Sequence, residues 1–119
     1  MAKDLVDPVQ ALRENTAQPF ERARAMPPEV YTSQAFLAEE LEHIFSKDWF
    51  CVGRADALAN AGDYTTCELA NQPILVIRDR DGELRGLSNV CLHRMSTLLQ
   101  GNGNARSIVC PYHAWTYNL

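Results

Sequence analysis

A chain of 119 residues, 46% of them hydrophobic, is long enough for one ordinary domain with a buried core and too short for two. Its net charge of -4 and eleven scattered basic residues argue against tracking a phosphate backbone, which needs clustered Lys and Arg, so no nucleic-acid partner is expected. No basic segment precedes an apolar run near the N-terminus, and no eighteen consecutive residues are apolar; neither export nor membrane spanning is expected, and the protein reads as cytoplasmic.

Residues 1–29 read as an arm: polar text punctuated by Pro8, Pro19, Pro27 and Pro28, with a helical turn or two around residues 8–15. Residues 30–48 read as one amphipathic helix. Thr32 or Ser33 can cap it, Phe36, Leu37, Leu41, Ile44 and Phe45 recur at helical spacing, and it ends near Lys47. Glu39, Glu40 and Glu42 are solvated charge on its other face, and His43 is a surface or boundary side chain.

From residue 49 the period changes. Residues 49–53, 64–69, 74–78 and 83–88 are short runs rich in β-branched, aromatic or aliphatic side chains, separated by turn residues. Asp81-Gly82 supplies a tight turn that pairs the third and fourth runs antiparallel. The fold class is mainly β: a small antiparallel domain over residues 49–119, preceded by the arm and the helix.

Four cysteines in a chain with no export signal suggest metal ligands or buried thiols rather than a disulfide framework. Cys51 and Cys67 stand alone in apolar text and read as two small buried hydrophobes. Cys91 and Cys110 each have a histidine close by. Cys91-Leu92-His93 follows the fourth run, and Cys110-Pro111-Tyr112-His113 is separated from it by sixteen residues. Between them, Gly101-Asn102-Gly103-Asn104 can make a turn and residues 106–109 a returning strand, so that the two loops face each other across one end of the sheet.

Two thiolates and two imidazoles suit a diferric cluster by charge. Four thiolates leave an oxidised site of about -2, whereas two thiolates with two neutral imidazoles leave about 0. An electron enters the neutral site more easily, so such mixed centres lie at roughly -150 to +300 mV against roughly -400 mV for all-thiolate clusters. A histidine ligand becomes more basic once its iron is reduced, so electron transfer is expected to be proton-coupled. Zinc also accepts two Cys and two His, but zinc sites usually space paired cysteines by two to four residues and paired histidines by three to five, whereas each loop here mixes the two types.

Cys-x-His, sixteen residues and Cys-x-x-His is similar to the signature of Rieske proteins. The flanks Asn89-Val90-Cys91-Leu92-His93-Arg94 and Cys110-Pro111-Tyr112-His113-Ala114-Trp115-Thr116-Tyr117 resemble the α subunits of Rieske non-haem iron ring-hydroxylating oxygenases. Ile44-Phe45, Trp49, Val52-Gly53, Gly62-Asp63-Tyr64 and Arg78 extend the likeness upstream. The resemblance implies a [2Fe–2S] cluster with Cys91 and Cys110 on one iron and His93 and His113 on the other. Tyr112 and Trp115 would pack around it, with Trp115 as ordinary core the alternative, and Arg94 would shape the first loop. Met95 and Ala114 stand where the family often has glycine. If Ala114 needs a positive φ, some strain follows.

The resemblance also implies a reductase or ferredoxin as electron donor, a small organic substrate, a homotrimer, and aromatic hydrocarbon catabolism or quaternary amine oxidation, by mono- or dioxygenation. The family's substrate chemistry uses a mononuclear Fe(II) held by two histidines and a carboxylate in a following domain, which this chain does not supply. Only six residues follow His113, so a fragment is expected: an oxygenase piece whose Rieske domain is incomplete at its C-terminus and which hydroxylates nothing by itself. A free-standing Rieske ferredoxin and a zinc-stabilised interaction module are the competing readings.

Overall fold

The computed structural model describes residues 7–119. The chain divides into two compact units, one through Asp48 and one from Trp49 to Leu119. The first six residues of the expected arm lie outside the described residues.

In the first unit, the arm contains a helix, α1 (Pro8–Thr16), over the residues where a helical turn or two is expected and one residue beyond. The Asp7 carboxylate accepts the Val9 amide at 3.0 Å, and Pro8 sits at the first helical position, where a missing amide costs nothing. Asn15 then ties the returning chain to the helix, donating to the Arg24 carbonyl at 2.8 Å and accepting its amide at 3.2 Å.

The single helix expected over residues 30–48 is two. α2 (Glu29–Thr32) stops at Ser33, whose backbone is extended at φ -82 and ψ 120, and α3 (Gln34–Glu40) starts there because the Ser33 hydroxyl accepts the Phe36 amide. A serine that caps one helix end ends the preceding helix in the same step. α3 continues into a wider turn over Leu41–Phe45, closed by a bond from the Ser46 amide to the Leu41 carbonyl. Of the apolar stripe only Phe36 is buried, while Leu37 and Ile44 remain nearly half exposed. His43 is a surface residue, 3.3 Å from Glu39 one turn earlier.

The second unit is a four-stranded antiparallel sheet in the order β3-β2-β1-β4, with β1 (Asp63–Leu69), β2 (Gln72–Arg78), β3 (Leu84–Ser88) and β4 (Asn102–Asn104). A small ribbon pairs β5 (Ile108–Val109) with β6 (Thr116–Tyr117). Alternation along β2 buries Leu75 and Ile77 completely on one face. They form the core with Leu98, Ile108 and, notably, Cys91 and Cys110, while Tyr64, Leu99, Tyr117 and Leu119 pack against it.

Turn chemistry sets the register. Ala70 and Asn71, at φ 49 and 61, make the two-residue turn between β1 and β2. Between β2 and β3 only Gly82 takes a positive φ, 83°. The Asp79 amide bonds to the Glu83 carbonyl and the Gly82 amide to the Asp79 carbonyl, so this loop is one residue longer than the tight turn expected. The buried Asp79 carboxylate lines it from inside, accepting the Asp81 and Glu83 amides at 2.9 Å and pairing with Arg85.

Three other expectations fail. Residues 49–53 form no strand: Trp49 is fully exposed, and the chain bends at Gly53 into a short helical turn over Ala55–Leu58. Arg78 holds that turn to the sheet by donating to the Ala55 and Leu58 carbonyls. Residues 102–104 are a strand, not a turn. The Asn102 side chain accepts the Thr65 hydroxyl, and the Asn104 side chain donates to Asp63 across the pair, so long-range partners override a turn-like composition. Gly103 is needed there because a Cβ would meet the Tyr64 ring at about 3.0 Å. Finally, Cys51 is exposed and Cys67 only half buried, so they are not a buried pair.

Candidate metal centre

The four sequence-chosen residues sit on two loops with the same backbone design. In each, the cysteine carbonyl accepts the amide four residues on, Met95 in the first loop and Ala114 in the second. In each, the cysteine amide donates to the carbonyl five residues on, Ser96 and Trp115, at 2.8 Å. The residue that closes each turn is left-handed, Met95 at φ 56 and Ala114 at φ 58. Both departures from glycine therefore stand where a side chain costs about 1–2 kcal/mol.

Asn89 closes the base of the first loop. It is buried, donates to the Leu99 carbonyl at 2.8 Å and accepts the Leu99 amide at 3.0 Å, while its own carbonyl accepts the Leu98 amide. A bridge between Val90 and Thr97 completes the neck. The second loop is closed by the β5–β6 ribbon, which pairs Val109 with Thr116.

The cysteines point inward and the histidines outward. Cys91 and Cys110 are 1% and 3% exposed, unoxidised, and belong to the same buried core cluster. His93 and His113 are exposed, and their ring centroids are 4.8 Å apart at 62°. Trp115 stacks on His93 at 4.8 Å and 5°, and Tyr112 lies 3.7 Å from the His113 ring. Trp115 is half exposed, so the ordinary-core alternative for it does not hold. Among the described residues, no three Cys, His, Asp or Glu side chains are grouped to hold one metal ion; the four donors are grouped as thiol with thiol and ring with ring.

Tyr117, on β6, was not singled out by the sequence reading. Its hydroxyl accepts the Leu92 amide at 3.0 Å and lies 3.2 Å from the Cys91 sulfur. This contact holds the Cys91 thiol below its ordinary pKa; burial opposes it, and the His93 amide, the Cys110 thiol and the Arg94 amide add to the lowering. The Tyr117 phenol is pushed up in turn, first by the bond to Cys91. A buried thiol biased toward thiolate beside a second thiol, with two imidazoles at the rim, is a donor set that fits an iron-sulfur cluster.

The model of the Rieske [2Fe-2S] domain matches residues 48–119, more than half of the sequence. The chain belongs to this family. The group that a Rieske domain carries is a [2Fe–2S] cluster. This Rieske chain is 41% identical over 115 residues to the carnitine monooxygenase oxygenase subunit of Escherichia coli (strain K12), covering 96% of the chain and 31% of that protein. It is 36% identical over 99 residues to the biphenyl 2,3-dioxygenase subunit alpha of Rhodococcus jostii (strain RHA1), covering 82% and 22%. The crystal structure of the apo form of the quaternary ammonium Rieske monooxygenase CntA superposes with a TM-score of 0.78 at 44% identity, covering 82% of this chain and 29% of that one. The chain thus spans less than a third of the length of these relatives.

Proposed function

We propose that Cys91 and Cys110 hold one iron of the cluster and His93 and His113 the other, and that the protein relays single electrons from a reductase or ferredoxin to a mononuclear non-haem iron in an oxygenase. The observation that carries this reading is the grouping of the donors into two thiols buried in one core cluster and two exposed imidazoles side by side. A single zinc ion would require all four to close on one point. Two irons bridged by sulfide each need only two protein ligands.

When bound, the cluster supplies one-electron chemistry at a potential above that of all-thiolate centres. The chain's own residues set its surroundings. Core packing by Leu75, Ile77 and Ile108 keeps water from the cysteine sulfurs, and the Tyr117 hydroxyl stands 3.2 Å from the Cys91 sulfur. The exposed histidines form the edge that a redox partner can approach.

The substrate iron needs two histidines and a carboxylate, and after the four donors one histidine, His43, remains. The site of hydroxylation therefore belongs to polypeptide beyond this sequence, and this chain alone hydroxylates nothing. Quaternary ammonium compounds are the favoured substrates, supported by 41% identity to a carnitine monooxygenase subunit against 36% to the biphenyl dioxygenase subunit, and the same comparison favours monooxygenation. A homotrimer is the assembly that the family resemblance implies. The reducing cytoplasm suits the free thiols of Cys51 and Cys67, and no described helix is long and apolar enough to cross a membrane.

The test is the electron paramagnetic resonance spectrum of anaerobically prepared, dithionite-reduced protein, with its iron and zinc content. A rhombic signal with average g below that of an all-thiolate [2Fe–2S] ferredoxin is expected. Zinc in place of iron, with no signal, refutes the proposal.

A further inference from the structure

The two ligand loops share their backbone bonds, but they differ at the residue after the cysteine. In the second loop that residue is Pro111, which has no amide hydrogen and whose ring fixes φ. In the first it is Leu92, whose side chain is 81% exposed and whose amide needs an acceptor. That acceptor is the Tyr117 hydroxyl, at 3.0 Å. Tyr117 is itself fixed from below: it lies in β6, pairs with the buried Ile108 and packs on the core.

We infer that Tyr117 is a positioning residue that holds the first loop in its ligand-ready conformation by capping the Leu92 amide, and so does for that loop what Pro111 does for the second. The inference rests on the proposed ligand set only for its meaning, since the cap itself is a property of the protein without cluster. An amide cannot accept, so the phenol oxygen accepts from Leu92 and its own hydrogen stays free for the Cys91 sulfur, where a thiolate can only accept. One side chain on the second half of the site thereby sets both the backbone and the sulfur of the first half.

Two functions of one hydroxyl can be separated with proline. Tyr117→Phe removes both bonds and keeps the ring. Leu92→Pro removes the need for the cap and fixes φ as at Pro111; the two loops share the turn in which Cys91 and Cys110 accept the Met95 and Ala114 amides, so proline suits the backbone at this position.

The experiment compares wild type, Tyr117→Phe, Leu92→Pro and the double variant, all as full chains. Hydrogen exchange of the 93–95 amides, which every variant retains, is measured in cluster-free protein, and cluster loss to a chelator and the reduction potential are measured in loaded protein. Tyr117→Phe should speed loop exchange and cluster loss about tenfold, the size expected for one lost hydrogen bond, and should lower the potential because a donor to sulfur is gone. The double variant should return loop exchange and cluster loss toward wild type while its potential stays low. Unchanged exchange and cluster loss in Tyr117→Phe would overturn the inference. So would failure of Leu92→Pro to rescue them, which would put the whole effect in the bond to sulfur. Wild type that binds no [2Fe–2S] cluster would refute the proposed function instead, and the exchange comparison would still decide the cap.

Discussion

Ala114→Gly should stabilise the protein, against the usual direction of an alanine-to-glycine change. Ala114 is exposed, so removing its methyl group sacrifices little packing. Its backbone is left-handed at φ 58, where a Cβ costs about 1–2 kcal/mol. Glycine relieves that cost but brings about 0.5–1 kcal/mol of additional unfolded-state entropy. The difference is a gain of about 0–1.5 kcal/mol, and its midpoint of about 0.75 kcal/mol raises the melting temperature of a unit of this size by roughly 3–6 °C. The assay is thermal unfolding of cluster-free full-length chain followed by near-ultraviolet circular dichroism, with Ala57→Gly as control. Ala57 lies in the Ala55–Leu58 helical turn and is not left-handed, so glycine there should cost about 0.5–1 kcal/mol. If Ala114→Gly lowers the melting temperature as the control does, the left-handed turn of the second loop is wrong. Met95→Gly should gain somewhat less, because Met95, although 75% exposed, has a longer side chain whose covered part loses its contacts as the strain is relieved.

Replacing Cys91 or Cys110 by Ser should abolish iron binding, because a poorly ionised hydroxyl is a weak substitute for thiolate; His93→Cys should keep a cluster at lower potential, and an unchanged potential would remove His93 from the ligand set. Asn89→Ala deletes both side-chain bonds to Leu99 from a site 3% exposed and should cost roughly 2 kcal/mol in urea denaturation; an unmoved midpoint would show that the loop base closes without it. Burial pushes the Asp79 carboxyl up, but the Glu83 amide, the Arg85 guanidinium and the Asp81 amide outweigh it and leave the carboxyl below its ordinary value. A carboxylate depressed in the folded state contributes stability above its unfolded pKa of about 3.9, and that contribution is lost as pH falls through the lower folded value. Melting temperature should therefore drop below about pH 4, and Asp79→Asn should flatten part of that drop. The remainder belongs to groups such as Asp63, which the Asn104 side chain holds down in the same window.

The ligand candidates were legible because cluster chemistry demands particular atoms at short separations in sequence: Cys91 with His93 and Cys110 with His113 are each local pairs. Strands β1 to β3 were legible for a similar reason, since alternation and turn residues are local properties of the chain. What the sequence did not disclose depends on partners distant in the chain. Ser33 could start a helix at sequence level, but its role in ending another shows only in its extended backbone. Residues 102–104 look like a turn until β1 offers them a ladder, and residues 49–53 look like a strand although the structure gives them no ladder. Tyr117 gained its role only when β6 brought its hydroxyl to Leu92, twenty-five residues away. Composition and local spacing by themselves singled out the candidate iron ligands. Tertiary structure alone decided that the sulfurs are inside and the imidazoles outside, because burial and long-range hydrogen bonds arise only once the sheet and its two loops have packed.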